Sequence, residues 1–423
     1  MKIKKFLLFT LAIFTCGTLF ACAGGDSAVP AEDFTDPVEN PAGDRTDMPD
    51  KPDEIQTQTI QTIQTEEEPA AKEIIPDERR IKIENKEFTA GGKKIWINGA
   101  NTPWNKWNDF GGDYNDSWWD KHFKSLHENG VNAVRVWINC NNDNRAITIG
   151  GDGMVSGASN AHWADLDKFF ATAEKNNIYI MATLLSFDHF KSKSAQSWRN
   201  MLASNDAADS FVNHYVIPLV NRYKNNPYLW SIDLCNEPDW VYEDAKCGNI
   251  PWDQISNLFA RAAAAIHENS DILVTVGMSF PKYNADGASY EGNKVSDKFL
   301  QKLYANPNAY LDFWSPHYYD WVGPWFGVPF YSTPSGNRPK GWGLDGSKPA
   351  LIGECMAKGS KGSTKGTENN TLITDYENAY LNGWQGVMPW TSNGVDGCGG
   401  FDDLVPATKY MLEKYRDMIF PLD

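Results

Sequence analysis

Short apolar runs recur along the chain from residue 94 to residue 390, and longer segments with a different pattern separate them. Continuous apolar runs rich in β-branched and aromatic residues are typical of buried strands. The pattern predicts eight strands, at KIWINGAN (94–101), VNAVRVWI (131–138), IYIMATLLSF (178–187), LWSIDLCNE (229–237), ILVTVGMSF (272–280), DFWSPHYYD (312–320), PALIGECM (349–356) and GVMPW (386–390).

The segments between these runs carry apolar residues at the period of an amphipathic helix, and several end in Asn or Gly, which commonly stop helices. Examples are WWDKHFKSLHENG (118–130), ADLDKFFATAEKNN (164–177), SFVNHYVIPLVNRYKNN (210–226) and DQISNLFARAAAAIHENS (253–270). Strands that alternate with helices predict an α/β protein, a single (β/α)8 TIM barrel over 79–423. The Gly- and Pro-rich segment after the sixth run, residues 323–348, is instead expected to be a long loop over the barrel mouth.

The N-terminus has the pattern of a targeting segment. Three lysines in the first five residues precede an apolar stretch that ends in LFAC, a tetrapeptide that resembles a bacterial lipobox. We expect residues 1–21 to be a lipoprotein signal peptide, Cys22 to carry lipid, and the protein to lie in the bacterial cell envelope, anchored to the outer membrane or cell surface. An ordinary cleaved secretion signal is the alternative.

Residues 22–78 differ from the rest of the chain in charge. Residues 23–78 hold 16 Asp and Glu against three Lys and Arg, with scattered Pro and a QTQTIQTIQT repeat. Such a segment buries too little apolar surface to offset the entropy lost on ordering, so a disordered acidic linker is expected. The remaining chain has no basic patch, which argues against a nucleic-acid partner.

The cysteines follow no metal-binding spacing, so neither a metal nor another cofactor is predicted. Without Cys16 in the signal peptide and Cys22, an odd number remains, and at least one must be unpaired. These are Cys140, Cys235, Cys247, Cys355 and Cys398.

Polar and aromatic side chains stand at the ends of the predicted strands. The active sites of such barrels form at the carboxyl ends of the strands, so these side chains are expected in one cavity. In chain order they are Asn101, Trp104, Arg135, Trp137, Asp188, His189, Asn236, Glu237, His317, Tyr319, Glu354 and Trp390.

The ordered set VNAVRVW, CNEP, PHYYDW, IGE and MPW resembles glycoside hydrolase family 5, whose members are retaining barrels with two catalytic glutamates. The resemblance covers roughly residues 85–420 and is strongest to the endo-β-1,4-mannanase branch. It implies that Glu237 is the acid/base and Glu354 the nucleophile. It also implies that Arg135 braces the nucleophile, that Asn236 meets the sugar 2-hydroxyl, and that His317, Tyr319 and Trp390 line the catalytic subsite. Trp104, just after the first strand, is a further substrate-binding candidate.

The chemistry of retention agrees with that assignment. One carboxylate must attack the anomeric carbon while a protonated carboxyl about 5–5.5 Å away donates to the leaving oxygen. Arg135 is expected to keep Glu354 ionised, and Tyr319 to donate to it. Glu237, beside an anion and partly desolvated, is expected to have a raised pKa.

Five further residues have two readings each. His189 either lines the mouth or is an ordinary loop histidine. The indoles after strands 1, 4 and 6 either stack on pyranose rings or pack the loops. They belong to Trp107, Trp240, Trp321 and Trp325.

The resemblance leaves the substrate open within one class. The leading hypothesis is an endo-β-1,4-mannanase that hydrolyses mannan or glucomannan, and the alternative is an endo-β-1,4-glucanase. The protein is expected to be a monomer. A catalytically idle polysaccharide-binding barrel is a third possibility. Two mutually repelling carboxylates argue against it, because a binding protein gains nothing from keeping them.

Overall fold

The computed structural model describes residues 73–141, 146–286, 290–337 and 340–423. The predicted signal peptide, Cys22 and most of the predicted linker lie outside these ranges. Hydrogen bonds join the last part of the linker to the barrel, since Asn225 contacts the backbone of Glu73 at 3.2 Å and of Ile75 at 2.9 Å.

The strands are short and most of them are buried. In chain order they are β1 Lys82–Glu84, β2 Glu87–Ala90, β3 Lys93–Lys94, β4 Ile97–Asn101, β5 Ala133–Trp137, β6 Ile147–Ile149, β7 Val155–Ala158, β8 Tyr179–Thr183, β9 Leu229–Asn236, β10 Leu273–Met278, β11 Ser315–Tyr318, β12 Glu354–Cys355 and β13 Gly386–Val387.

Eight of these strands form one parallel sheet, in the order β12, β11, β10, β9, β8, β5, β4, β13. Parallel bridges from Ile352 to Val387 and from Met356 to Trp390 join the two edges and close the barrel. Each of the eight predicted runs contains one barrel strand. The predicted (β/α)8 fold is therefore confirmed.

Helices connect the strands and surround the barrel. They are α1 Asp116–Glu128, α2 Asn160–Lys175, α3 Ala195–Ala203, α4 Asn205–Phe211, α5 Ile217–Tyr223, α6 Asp239–Glu243, α7 Trp252–Asn269, α8 Asp297–Leu303, α9 Val322–Phe326, α10 Leu372–Leu381 and α11 Phe401–Ile419. All four helical segments singled out in the sequence are confirmed. Within the described ranges, none of the helices is both long and apolar enough to cross a membrane.

An antiparallel sheet of β1, β2 and β3 covers the amino end of the barrel. The Phe88 ring packs edge-on against Trp230 and Phe313, with ring centroids 5.4 Å and 5.2 Å away. The sequence pattern did not predict this sheet, because its strands are only two to four residues long. The carboxyl end of the barrel, at the opposite side, carries the strand-end side chains.

The five cysteines expected outside the signal peptide are all buried. Cys235, Cys247 and Cys355 are free thiols, which confirms that at least one is unpaired. Burial raises the pKa of Cys235 and Cys355 well above its ordinary value, so both thiols stay protonated.

Candidate active site

Glu237 follows directly after β9, whose eight residues are all buried. Its φ of 47° lies in the left-handed region, which residues other than glycine seldom adopt. The Glu237 N–H donates to the Gly277 carbonyl on β10 at 2.7 Å, which holds this turn of the backbone. The carboxyl group consequently enters the cleft at the carboxyl end of the barrel, with 13% of the side chain exposed.

Glu354 begins β12 and pairs in register with His317 of β11. Its Oε1 accepts a short hydrogen bond from the Arg135 guanidinium, and its Oε2 accepts one from the Tyr319 hydroxyl. Only 5% of the side chain is exposed. This carboxyl group is therefore held at both oxygens, as expected from the sequence for Arg135 and Tyr319.

The two carboxyl groups face each other across His317. One oxygen of Glu237, one oxygen of Glu354 and one His317 ring nitrogen all lie within 4.8 Å of one another. His317 Nδ1 is 2.9 Å from Oε1 of Glu237 and 3.6 Å from Oε2 of Glu354. A separation this small fits a retaining pair at about 5–5.5 Å and is too short for the water of an inverting pair at about 6.5–9.5 Å.

Arg135 lies on β5 beneath the carboxyl groups and is completely buried. Each of its five N–H groups has an acceptor. They are Asp233 Oδ2 at 2.9 Å and 2.7 Å, Asn101 Oδ1 at 3.1 Å, Asn236 Oδ1 at 2.8 Å, and Glu354 Oε1. Arg135 therefore braces the site from below and does not itself face the cleft.

Asp233 is a residue of this network that the sequence analysis missed. It sits inside the apolar run of β9 and is fully buried. Besides Arg135, it accepts hydrogen bonds from the Gly277 N–H at 2.9 Å and the Thr183 hydroxyl at 3.1 Å. A carboxylate within a buried strand needs a buried cation as its partner. An acidic residue inside an apolar run is thus a sequence signal that could have linked Asp233 to Arg135.

Burial raises the pKa of Glu237 to about 7. Burial raises the pKa of Glu354 as well, and the neighbouring His317 and Arg135 and the Tyr319 hydroxyl offset only part of that rise. Because two adjacent anions repel each other, ionisation of one carboxyl group favours the protonated form of the other. The proton belongs on Glu237, since the guanidinium and the phenol both bind the ionised form of Glu354 directly.

The flanking groups stay neutral in the physiological range. Burial lowers the pKa of His317 to about 4, so the ring is uncharged near pH 7. Burial raises the pKa of Tyr319 well above its ordinary value, and its hydroxyl therefore remains a donor to Glu354.

A metal ion needs several ligand side chains close together. In the described ranges, one group of three or more acidic, histidine or cysteine side chains is compact enough, and it consists of Glu237, His317 and Glu354. Their existing contacts fit that role poorly. Both Glu354 oxygens are occupied by donors, one of them the Arg135 cation. A divalent cation would have to displace these donors and lie beside a buried guanidinium, so acid/base chemistry suits the set better.

Two asparagines at strand ends have different positions. Asn101 is fully buried, and its amide donates to the carbonyls of Gly353 and Met388 at 2.9 Å and 2.7 Å, so it ties strands together. Asn236 lies beside Glu237, and Arg135 occupies its Oδ1. Its Nδ2 donor is therefore the group that can contact a ligand hydroxyl.

One wall of the cleft is aromatic. Trp104 packs edge-on against Trp107, Trp137 and Trp390, with ring centroids 4.6 Å, 6.1 Å and 6.1 Å away. Trp390 donates to the carboxylate of Asp396 at 3.3 Å. Trp107 is 37% exposed, whereas Trp390 is 7% exposed, so the wall runs from the barrel floor to the surface.

A second aromatic group stands on the Glu237 side. Trp240 packs against Trp321 with centroids 5.7 Å apart, and Phe280 touches both Trp321 and Trp325. Trp321 and Trp325 are 45% and 43% exposed. The four loop indoles considered from the sequence therefore lie in two separate aromatic groups, Trp107 in the first and Trp240, Trp321 and Trp325 in the second.

His189 does not line the cleft. It is fully buried, its Nε2 is 2.9 Å from the Asn139 amide, and its Nδ1 contacts the Ser186 backbone. Asp188, next to it, pairs with Lys191 at 3.0 Å. Of the two interpretations of His189, the structural one applies, because its ring joins the loop after β8, through the Ser186 backbone, to Asn139 in the loop after β5.

Comparisons with known proteins agree with this geometry. The family model "Cellulase (glycosyl hydrolase family 5)" matches residues 88–385. A mannan endo-1,4-beta-mannosidase of Mytilus edulis is 25% identical over 343 residues, which is 75% of this chain and 89% of that protein. One of Cryptopygus antarcticus is 24% identical over 356 residues, with 75% and 86% covered.

The fold is likewise similar to solved structures. The endo-1,4-beta-mannanase of Eisenia fetida superimposes with a TM-score of 0.66 at 21% identity, over 78% of this chain and 95% of that one. The match to the family model spans well over half of the chain. The chain belongs to glycosyl hydrolase family 5, the cellulase family, and is a glycoside hydrolase.

Proposed function

We propose that this glycoside hydrolase is a retaining endo-β-1,4-mannanase that cleaves mannan or glucomannan, with Glu237 as acid/base and Glu354 as nucleophile. The observation that carries the proposal is the pair of carboxyl groups, which lie on either side of His317 with oxygens within 4.8 Å. Glu354 accepts a hydrogen bond from the Arg135 cation, which favours its ionised form, and the pKa of Glu237 is raised to about 7.

In the first step Glu354 attacks the anomeric carbon, and the bond from that carbon to the leaving oxygen breaks. Glu237 gives its proton to that oxygen, so the leaving sugar departs as an alcohol. The product is a glycosyl ester on Glu354. The Tyr319 hydroxyl and Arg135 hold the attacking carboxylate in position until its charge is consumed.

In the second step the ionised Glu237 takes a proton from water, and the oxygen of that water attacks the same carbon. The ester bond breaks, Glu354 becomes a carboxylate again, and Glu237 recovers its proton. Each of the two steps inverts the configuration at the anomeric carbon, so the product has the original anomeric configuration. The raised pKa of Glu237 suits both roles, because such a group gives and takes a proton near neutral pH.

The substrate assignment rests on relatives and on one amide. Both curated relatives described above are named mannan endo-1,4-beta-mannosidases. Mannose differs from glucose in an axial 2-hydroxyl, and contacts at that hydroxyl strengthen in the oxocarbenium-like transition state. Asn236 Nδ2 stands beside the acid and can make that contact. An endo-β-1,4-glucanase is the second candidate, since the family model is described as cellulase.

We predict that kcat/KM for mannohexaose exceeds kcat/KM for cellohexaose by at least about tenfold, or about 1.4 kcal/mol of transition-state binding. The physical reason is that the wrong epimer leaves a buried donor unpaired. Initial rates from chromatography of the products measure both values. An Asn236→Ala variant, which lacks the donor, is expected to narrow the ratio. Equal or reversed values in the wild type would favour the glucanase and leave the two glutamates in their roles.

We also propose that the enzyme is a lipoprotein of the bacterial cell envelope, anchored through Cys22 and separated from the membrane by the acidic linker. The basic start, the apolar stretch and LFAC support this proposal. On this proposal the single catalytic barrel acts on its polysaccharide as a monomer.

A Cys22→Ala variant is expected to lose acylation and to move from the membrane fraction to the soluble or secreted fraction with full activity, because the described catalytic groups all lie in the barrel. Mass spectrometry of the N-terminal peptide and fractionation measure both effects. Cys16→Ala is the matched control, since Cys16 lies inside the apolar stretch, and it should remain acylated. Membrane attachment of the Cys22→Ala protein would refute the anchor.

A further inference from the structure

The Glu237 carboxyl has a hydrogen-bond partner that takes no part in the two steps of hydrolysis. The indole N–H of Trp240 donates to Oε2 of Glu237 at 2.9 Å, while His317 Nδ1 lies 2.9 Å from Oε1. Trp240 is half-buried, and a tryptophan nitrogen can only donate a hydrogen bond. Oε2 is therefore always the acceptor in this contact, whatever the tautomer of the histidine.

The local backbone fixes this contact. The Trp240 N–H donates to the Glu237 carbonyl at 3.1 Å, so the chain makes one tight turn between the two residues. Glu237 has a positive φ at the start of the turn, and Pro238 restricts φ in its middle. The Trp321 ring packs against the indole with centroids 5.7 Å apart. The tight turn and this ring contact thus hold the indole against one carboxylate oxygen.

We propose that Trp240 is a positioning residue for the acid/base: its indole N–H fixes the orientation of the Glu237 carboxyl and stabilises the charge that Glu237 acquires when it protonates the leaving oxygen. This inference rests on the proposed role of Glu237. Trp240 would then have a function in proton transfer, in addition to any stacking of its indole on a sugar ring.

The charged and titratable groups that face Glu237 come from several elements. Burial, which raises its pKa, is the largest influence, and the Trp240 hydrogen bond is the largest one that lowers it. Burial raises the pKa of Asp239 to about 8, so this neighbour is mostly neutral near pH 7. The other groups are Arg135, Asp188, Lys191, His317, Tyr319 and Glu354.

The direction of the effect follows from the donor. An N–H group that binds the ionised carboxylate makes Glu237 a stronger acid, so its loss raises the pKa. Glu237 must be protonated in the first step, and the basic limb of kcat/KM against pH reports that proton in the free enzyme. Loss of the donor therefore moves the basic limb to higher pH.

A Trp240→Phe variant tests the role of the indole N–H, because it keeps an aromatic ring and removes this hydrogen-bond donor. The basic limb of kcat/KM on mannohexaose should move up by roughly half a pH unit or more. The value of kcat/KM at neutral pH should fall by about three- to tenfold. With a 2,4-dinitrophenyl β-mannobioside, whose leaving group needs no proton, kcat/KM should change by less than about twofold.

Trp321→Phe is the matched control. Trp321 packs on Trp240 and is 45% exposed, but it forms no hydrogen bond with Glu237. The Trp321→Phe variant should keep the basic limb of its kcat/KM profile at the wild-type pH, even if its KM changes. A Trp240→Phe variant with a raised KM and an unmoved basic limb would overturn the proposal and leave Trp240 as a stacking surface only.

A Glu237→Ala variant separates the role of Trp240 from the role of Glu237. If Glu237 is the acid/base, Glu237→Ala loses the basic limb and yields a glycosyl azide of retained configuration when azide is supplied. If that variant behaves otherwise, the assignment of Glu237 is wrong. If it behaves as expected and the Trp240→Phe limb stays in place, only the role of Trp240 is wrong.

Discussion

A Glu354→Gly variant will cleave mannan at least about 10⁴-fold more slowly than the wild type and will remain folded. The variant has no atom that can attack the anomeric carbon. Glu354 lies on the cleft wall and contributes polar contacts, so its removal leaves the apolar core intact. Reducing-sugar release from mannan measures the loss, and the melting temperature reports the fold.

Azide should restore cleavage of an activated mannoside by this variant. A small anion fits the space left by the carboxylate and attacks once, so the product is a glycosyl azide of inverted configuration. Glu237→Ala is the matched control, because its nucleophile is intact and azide then replaces water in the second step with retention. Retained azide from Glu354→Gly would mean that the two roles are exchanged.

An Arg135→Lys variant will lose about 100-fold or more in kcat/KM on mannohexaose. Five N–H groups of Arg135 hold Asp233, Asn101, Asn236 and Glu354 together, and an ammonium group cannot reach them all. Weaker contact with the cation raises the pKa of Glu354. Since Glu354 must be ionised to attack, the acidic limb of kcat/KM will move to higher pH.

Arg80→Lys is the control for loss of a buried guanidinium. Arg80 is 2% exposed and donates to the carbonyls of Leu229 and Asn226 at 3.4 Å and 3.2 Å, next to the start of β9. Its replacement should lower the melting temperature and leave both pH limbs in place. Wild-type kcat/KM and an unmoved acidic limb in Arg135→Lys would contradict the bracing role of Arg135.

The sequence predicted the barrel because parallel strands are buried on both faces and therefore read as continuous apolar runs. The barrel in turn predicted that the two strand-end glutamates would meet, since polar residues at the carboxyl ends of the strands share one cavity. The side chains of Glu237, His317 and Glu354 do meet there. Periodicity alone thus predicted both the fold and the meeting of the carboxyl groups.

Contacts across strands were harder to predict. Asp233 was hidden within an apolar run, and its pairing with Arg135 depends on which strands become neighbours. The Trp240 contact depends on the left-handed conformation of Glu237, which no residue type in that turn signals. His189 turned inward because Asn139 and the Ser186 backbone satisfy its ring. None of these arrangements has a periodic pattern that a sequence could display.

Trapping the covalent glycosyl-enzyme intermediate identifies which glutamate is the nucleophile. A 2-deoxy-2-fluoro-β-mannosyl substrate with an activated leaving group forms the glycosyl ester, and the fluorine slows its hydrolysis because it destabilises the oxocarbenium-like transition state. After digestion of the inactivated enzyme, mass spectrometry should find one added glycosyl group on the peptide that contains Glu354. A glycosyl group on the Glu237 peptide would contradict the assignment of Glu354 as the nucleophile, and turnover of the natural substrate with inversion would contradict the retaining mechanism.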